Sequence, residues 1–289
     1  MLTERSSGIR YRVGEAPWGT AAEAPVDLGD RGLLLGDGVF DTALALDGRV
    51  FRSADHLARL AAACGTLGIP IERQRLAAFH RLPNGADGLG VIRLTVTAGV
   101  GPRGVTRARD AFEPFVFASL APADPSRRFA PLTLSTSAIP RNERSPASRL
   151  KMLGYQDALF GCWEAERSGA DEPLFLNTRG RVACSATCNL FVLRGRRLRT
   201  PPLEEGVLAG VGRRLLLEGC ATASGLSAEE GTVEPAELRE ADAVYATNSL
   251  RLLSRVVALD GAPLGDAPEV TAALERTLSA RLERECRRP

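Results

Sequence analysis

The 289-residue chain contains a single lysine, Lys151, among 37 basic residues, so arginine carries nearly all of its positive charge. Either residue serves as a surface cation. Only lysine serves where a primary amine must attack a carbonyl, because arginine stays protonated whereas a desolvated lysine can lose its proton. Histidine is almost as scarce, with two residues, and none of the six cysteines (Cys64, Cys162, Cys184, Cys188, Cys220, Cys286) forms a CxxC pair. That scarcity argues against a metal centre, zinc above all. Most of the cysteines read instead as small buried hydrophobes in a reducing compartment, with Cys184 set apart. No apolar run approaches a membrane-spanning length, and Met1-Leu2-Thr3-Glu4-Arg5 lacks a secretory pattern, so the expectation is a cytoplasmic protein with no membrane partner. The net charge is +2 with acids and arginines interspersed, which offers no basic stripe for nucleic acid.

Hydrophobic content of 44% and charged content of 25% are those of an ordinary globular chain, long enough for one large domain or two moderate ones. The pattern reads as mixed α/β in two halves: a smaller domain over 1–120, a proline-containing linker over 121–131 and a larger domain over 132–289. Asp30 to Asp37 reads as a glycine-punctuated loop entering a strand that ends at the Asp47-Gly48 turn. A short strand to Arg52 follows, and then a helix capped by Ser53 and reaching Ala63, on which Arg59 sits among apolar neighbours. Gly90 to Ala98 alternates as a strand with Arg93 on one face. The loop Gly99-Val100-Gly101-Pro102-Arg103-Gly104 comes next, then a strand from Phe112 to Leu120. A polar loop, Pro140 to Ser148, leads to Lys151 and a helix carrying Tyr155, Leu159, Phe160 and Trp163. A helix beginning at Lys151 would place Lys151 and Tyr155 on one face. Gly206 to Gly212 is a glycine-rich turn opening a helix, and free amides at a helix start suit a phosphate.

These stretches add up to a family. Asp30-Arg31-Gly32, Gly36-Asp37-Gly38-Val39-Phe40, His56-Leu57-Ala58-Arg59-Leu60, Lys151-Met152-Leu153-Gly154-Tyr155, Asn189-Leu190-Phe191, Gly206-Val207-Leu208-Ala209-Gly210 and Thr247-Asn248-Ser249-Leu250 occur in order. Over nearly its whole length the chain resembles the class IV, D-amino-acid-aminotransferase-like (fold type IV) pyridoxal-phosphate enzymes. That group includes branched-chain and D-amino-acid aminotransferases and 4-amino-4-deoxychorismate lyase. The resemblance implies a two-domain fold type IV enzyme, a homodimer, with pyridoxal 5'-phosphate bound through an imine to Lys151, which also shuttles the Cα proton. It further implies that Arg59, Val211-Gly212 and Asn248-Ser249 hold the phosphate, a dianion suited to a guanidinium and backbone donors. Tyr155 would lie near the cofactor's phenolate oxygen.

One position departs from the family. A glutamate usually stands where Cys184 stands here, and its carboxylate keeps the pyridine nitrogen protonated. A thiol, with an unperturbed pKa of about 8.5 against about 4.3 for glutamate, is a poor counter-ion for a pyridinium. Full transamination should suffer most, an elimination less, and a degenerate, slow site is a further reading. Gly99 to Gly104, and Thr247-Asn248-Ser249-Leu250 followed by Arg255 to Gly261, resemble the lyase more than branched-chain enzymes. The first expectation is therefore conversion of 4-amino-4-deoxychorismate to 4-aminobenzoate and pyruvate, the folate-type branch. Arg93 and Arg103 are the expected substrate-carboxylate residues, and Thr42 is a further candidate substrate residue. The alternative is an aminotransferase on a small branched-chain or D-amino acid with a 2-oxo acid acceptor.

Overall fold

The computed structural model describes residues 9–20, 26–102, 104–106 and 113–287. Strands β1 (Arg10–Val13), β2 (Gly38–Leu46), β3 (Arg49–Val50), β4 (Leu89–Thr97) and β5 (Phe115–Pro122) form an antiparallel sheet in the order β1-β5-β4-β2-β3. The β2–β3 hairpin turns at Asp47 (φ 51°) and Gly48 (φ 81°), the paired positive φ values that match a tight turn to the strand twist. Along the β2–β4 ladder Phe40 faces Thr95 and Thr42 faces Arg93. Side chains alternate along a strand, so Phe40 and Thr42 project from one face of β2 and Asp41 from the other.

Helix α1 (Arg31–Leu35) stands where the sequence suggested a loop. Asp30 caps it by accepting from the Leu33 amide at 3.2 Å, and Gly36, at φ 65°, closes it in the left-handed region. Its leucines are exposed while Arg31 is buried, paired with Asp37 at 2.9 Å and donating to the carbonyls of Gly104 and Val105. Helix α2 (Ser53–Thr66) buries His56, Leu57 and Leu60, and α3 (Arg73–Ala77) follows. The cap of α2 is Arg52 rather than Ser53, whose hydroxyl pairs instead with His80 Nδ1 at 2.8 Å.

The later strands are β6 (Leu132–Thr136), β7 (Glu172–Leu176), β8 (Val182–Ser185), β9 (Asn189–Arg194), β10 (Arg197–Thr200), β11 (Ser227–Glu230), β12 (Ala243–Thr247), β13 (Ser254–Leu259) and β14 (Ala262–Pro263). They form one sheet in the order β11-β10-β9-β12-β13-β6-β7-β8, with β14 on β13. A pairing of Cys184 with Asn189 joins β8 back to β9, so the sheet closes on itself around Leu132, Leu134, Leu174, Leu190, Val244 and Val256. Each such side chain contributes about 1.5–3 kcal/mol by leaving water. The helices are α4 (Gln156–Arg167), α5 (Val211–Leu215), α6 (Ala221–Ala223), α7 (Pro235–Arg239) and α8 (Pro268–Cys286), with a π-type turn, Leu216–Cys220, joining α5 to α6. No described helix is long and apolar enough to cross a membrane.

Contacts divide the chain into two units, the first running to Pro125 and also taking Lys151–Gly154 and the residues from Leu282 onward. The second comprises Ser126–Leu150 and Tyr155–Arg281.

Candidate active site

In the first unit Lys151 is not helical. Residues 151–153 lie along the edge of β2: Phe40 N donates to Lys151 O at 2.9 Å, Leu153 N donates to Gly38 O at 3.0 Å, and Met152 bridges to Val39. These backbone bonds replace those a helix would have made. Helix α4 starts only at Gln156, so Lys151 and Tyr155 do not share a helix face. The Lys151 Nζ sits 4.5 Å from the centre of the Phe40 ring, and the Arg93 guanidinium carbon sits 3.6 Å from the same centre. The structure thus brings together the amine, Arg93 and, opposite it in the ladder, Thr42. Arg103 and Phe112 lie outside the described residues.

Arg59 belongs to a different constellation, on the Asp41 face of β2. Its Nε donates to Asp41 Oδ2 at 2.8 Å and its NH2 to Asp41 Oδ1 at 3.1 Å, while His56 Nδ1 lies 2.6 Å from Asp41 Oδ1. Burial alone would raise the Asp41 pKa; the charge of Arg59 and the hydrogen bond and charge of His56 outweigh it and hold the carboxyl down at about 2, against an ordinary 3.8. A depressed carboxylate stabilises the fold above its unfolded pKa and loses that contribution as pH falls through the folded value. Between pH 3.8 and 2 the chain is therefore expected to lose roughly 2 kcal/mol from this group. Chemical denaturation across that interval, with Asp41→Asn as the control that flattens the curve, measures it. The sequence reading missed Asp41 and His56. The available signal was an acid inside the apolar strand segment Val39-Phe40-Asp41-Thr42-Ala43-Leu44.

The second unit assembles the other residues. Tyr155 donates to Ala186 O at 2.9 Å, and burial, reinforced by Cys184, pushes its phenol up to about 12. Cys184 is buried beside Phe175, Ala186 and Val207, and burial raises its thiol pKa, with Arg141 lowering it and Glu172 raising it. It therefore stays a neutral S–H at neutral pH. Glycines shape the start of α5: a Cβ on Gly210 would meet Asn189 Oδ1 at 2.0 Å, and one on Gly212 would meet Thr247 Oγ1 at 2.3 Å. The first-turn amides of Val211 and Gly212, which have no acceptor within the helix, are thereby set close to the loop after β12. In that loop Asn248 Oδ1 accepts from Leu250 N and Arg251 N at 2.9 and 2.8 Å, and Asn248 Nδ2 donates to Cys188 Sγ at 3.2 Å. Ser249 is half-buried beside it. Gly212→Ala is expected to cost about 1–3 kcal/mol, because buried Thr247 Oγ1 already bonds Leu252 O at 2.6 Å and has little room to give. Thermal unfolding checks this.

The first unit holds the chain's single lysine and the second a glycine-cradled helix start; an amine is the group that condenses with an aldehyde, and free helix-start amides are groups that bind a phosphate. The amino-transferase class IV family model matches residues 38–259. The chain belongs to that family. A putative branched-chain-amino-acid aminotransferase of Methanocaldococcus jannaschii is 29% identical over 248 residues, 83% of this chain and 84% of its own length. Aminodeoxychorismate lyase of Bacillus subtilis is 29% identical over 253 residues, 85% of this chain and 86% of its own length. A hypothetical aminotransferase from Mycobacterium tuberculosis, in its PLP-bound form, has the same fold with a TM-score of 0.84 at 21% identity, covering 94% of this chain and 98% of that chain. This lyase and this branched-chain aminotransferase are thus equally identical to the chain.

Proposed function

We propose that this class IV chain is a pyridoxal-phosphate lyase that converts 4-amino-4-deoxychorismate to 4-aminobenzoate and pyruvate. The observation that carries the proposal is the Phe40 cluster, in which the only lysine and Arg93 flank one aromatic ring at 4.5 and 3.6 Å. Pyridoxal phosphate, when bound, supplies an electron sink for the Cα of an attached amino substrate. The chain's own groups do the rest. Lys151 Nζ holds the cofactor and moves the Cα proton. Arg93, planar and stacked on Phe40, offers its fork to a substrate carboxylate, with Thr42 next to it and Arg103 as a second candidate. The amides of Val211 and Gly212, with Asn248, Ser249 and Arg59, hold the phosphate, and Tyr155 orients the ring edge. A neutral thiol at position 184 weakens the sink, which favours expulsion of a leaving group over the complete transfer of an amino group. A homodimer in the cytoplasm forms part of the same reading.

The second reading, an aminotransferase on a small amino acid, is supported by the Methanocaldococcus relative at equal identity. The two separate on one requirement. Purified enzyme loaded with pyridoxal phosphate is expected to release 4-aminobenzoate and pyruvate from aminodeoxychorismate in equal amounts without any 2-oxo acid. Turnover that appears only when a 2-oxo acid is added, with amino transfer to it, would sink the lyase assignment and leave the aminotransferase.

A further inference from the structure

We infer that Arg141 sets the charge on the Cys184 side of the cofactor site, holding the ring nitrogen of pyridoxal phosphate unprotonated. The inference rests on the cofactor reading above and on the resemblance that puts position 184 against that nitrogen. Arg141 is half-buried in the loop before Lys151, at the isolated bridge it makes to Asn177. Its Nε donates to Gly206 O at 3.2 Å and its NH2 to Ser148 O at 2.8 Å, both neutral carbonyls. Among the described residues it has no carboxylate partner. Gly206 leads directly into Val207, which packs in the same cluster as Cys184 and Tyr155. The guanidinium is thus tied to the residue that leads into the Cys184 cluster, and its charge is felt at Cys184, the position where the family carries an acid and this chain does not.

The other groups around Cys184 do not replace it. Tyr155 and Cys188 are both pushed up to about 12, chiefly by burial, and stay neutral. Arg251, which acts on Cys188, adds positive rather than negative charge. Glu172 is a buried carboxylate, but its charge is already met by Ser185 Oγ, by Thr187 Oγ1 at 2.7 Å and by Thr187 N at 3.3 Å. At Cys184 the influence of Arg141 exceeds that of Glu172. A pyridinium placed there would face a like charge with no counter-ion, and a like charge disfavours protonation. A neutral nitrogen can instead accept the S–H of Cys184, a weak donor.

Pyridoxal phosphate labelled with 15N in the ring, bound to the wild-type protein and to variants, reads the nitrogen directly through its chemical shift across a pH titration. The wild type is expected to show a neutral pyridine nitrogen through neutrality. Arg141→Lys, which keeps the charge but not the planar tie to two carbonyls, should behave the same. Arg141→Met should raise the nitrogen's pKa by about one unit or more, a tenfold or larger shift in proton affinity. Cys184→Glu should give a protonated ring. A protonated nitrogen in the wild type overturns the inference, and so does an unchanged titration in Arg141→Met. If Arg141→Met does not fold, Arg141→Gln, which removes the charge but keeps an amide donor for the carbonyls, gives the same reading, and an unchanged titration there overturns the inference. Thermal unfolding of the unloaded variants reads the Ser148–Gly206 tie separately; its loss alone would lower stability without moving the nitrogen. Failure of the cofactor reading looks different, because no borohydride-stable adduct then forms on wild-type Lys151, and this inference falls with it.

Discussion

Lys151→Ala is expected to lower kcat/KM by at least about three orders of magnitude and to remove all borohydride-fixed pyridoxal phosphate from the protein. The size follows from two losses at one atom: the covalent hold on the cofactor and the group that moves the Cα proton. The substitution tests chemistry rather than folding, because Lys151 is anchored through its backbone. Phe40 N still donates to its carbonyl at 2.9 Å, and the Val39–Met152 bridge beside it does not use the side chain. Thermal unfolding should therefore change little. Lys151→Arg should fail as completely, since a guanidinium keeps its proton. With one lysine in the chain, peptide mapping of the reduced wild-type protein has a single internal site to report. Retention of more than about one-hundredth of the activity in Lys151→Ala, set against the expected three orders, would remove this residue from the mechanism.

Much of this was legible in the sequence because the informative residues were scarce or punctuated. A solitary lysine in an arginine-rich chain marked the amine, and Gly206 to Gly212 marked the start of α5. What stayed hidden were positions whose meaning depends on a partner distant in sequence. Asp41 carried no signal beyond being an acid in an apolar strand segment, yet it is the acid that α2 closes over, with His56 and Arg59 both reaching it. Arg141 was one arginine in a polar loop, and only the carbonyls of Ser148 and Gly206 show where its charge is held. The run Arg31 to Leu35 was misread as loop because its leucines face outward, so burial gave no helical period; the signals were Asp30 and Gly36 at its ends. The four-residue spacing puts Tyr155 on a helix face with Lys151 only if a helix begins at Lys151. The backbone of 151–153 found its partners on the β2 edge instead, and the helix waited until Gln156.

Arg59→Ala is expected to cost about 3–5 kcal/mol of stability, the range for breaking one partner out of a buried pair. The side chains of Arg59 and Asp41 are 14% and 3% exposed, and removing the guanidinium leaves the carboxylate with His56 alone in a place water does not reach. A simple loss of cofactor affinity is therefore the wrong expectation for this variant by itself. The double variant Arg59→Ala with Asp41→Asn separates the two roles. It removes the stranded charge, so it should recover a large part of the lost stability, while affinity for pyridoxal phosphate stays as low as in the single variant. Non-additivity of that kind is the signature of residues acting as one network. Equilibrium unfolding and cofactor titration on the four proteins of the cycle give both quantities. Recovery of cofactor affinity along with stability would mean that Arg59 holds the strand and not the phosphate, leaving the amides of Val211 and Gly212 and the Asn248 loop to bind the anion without it.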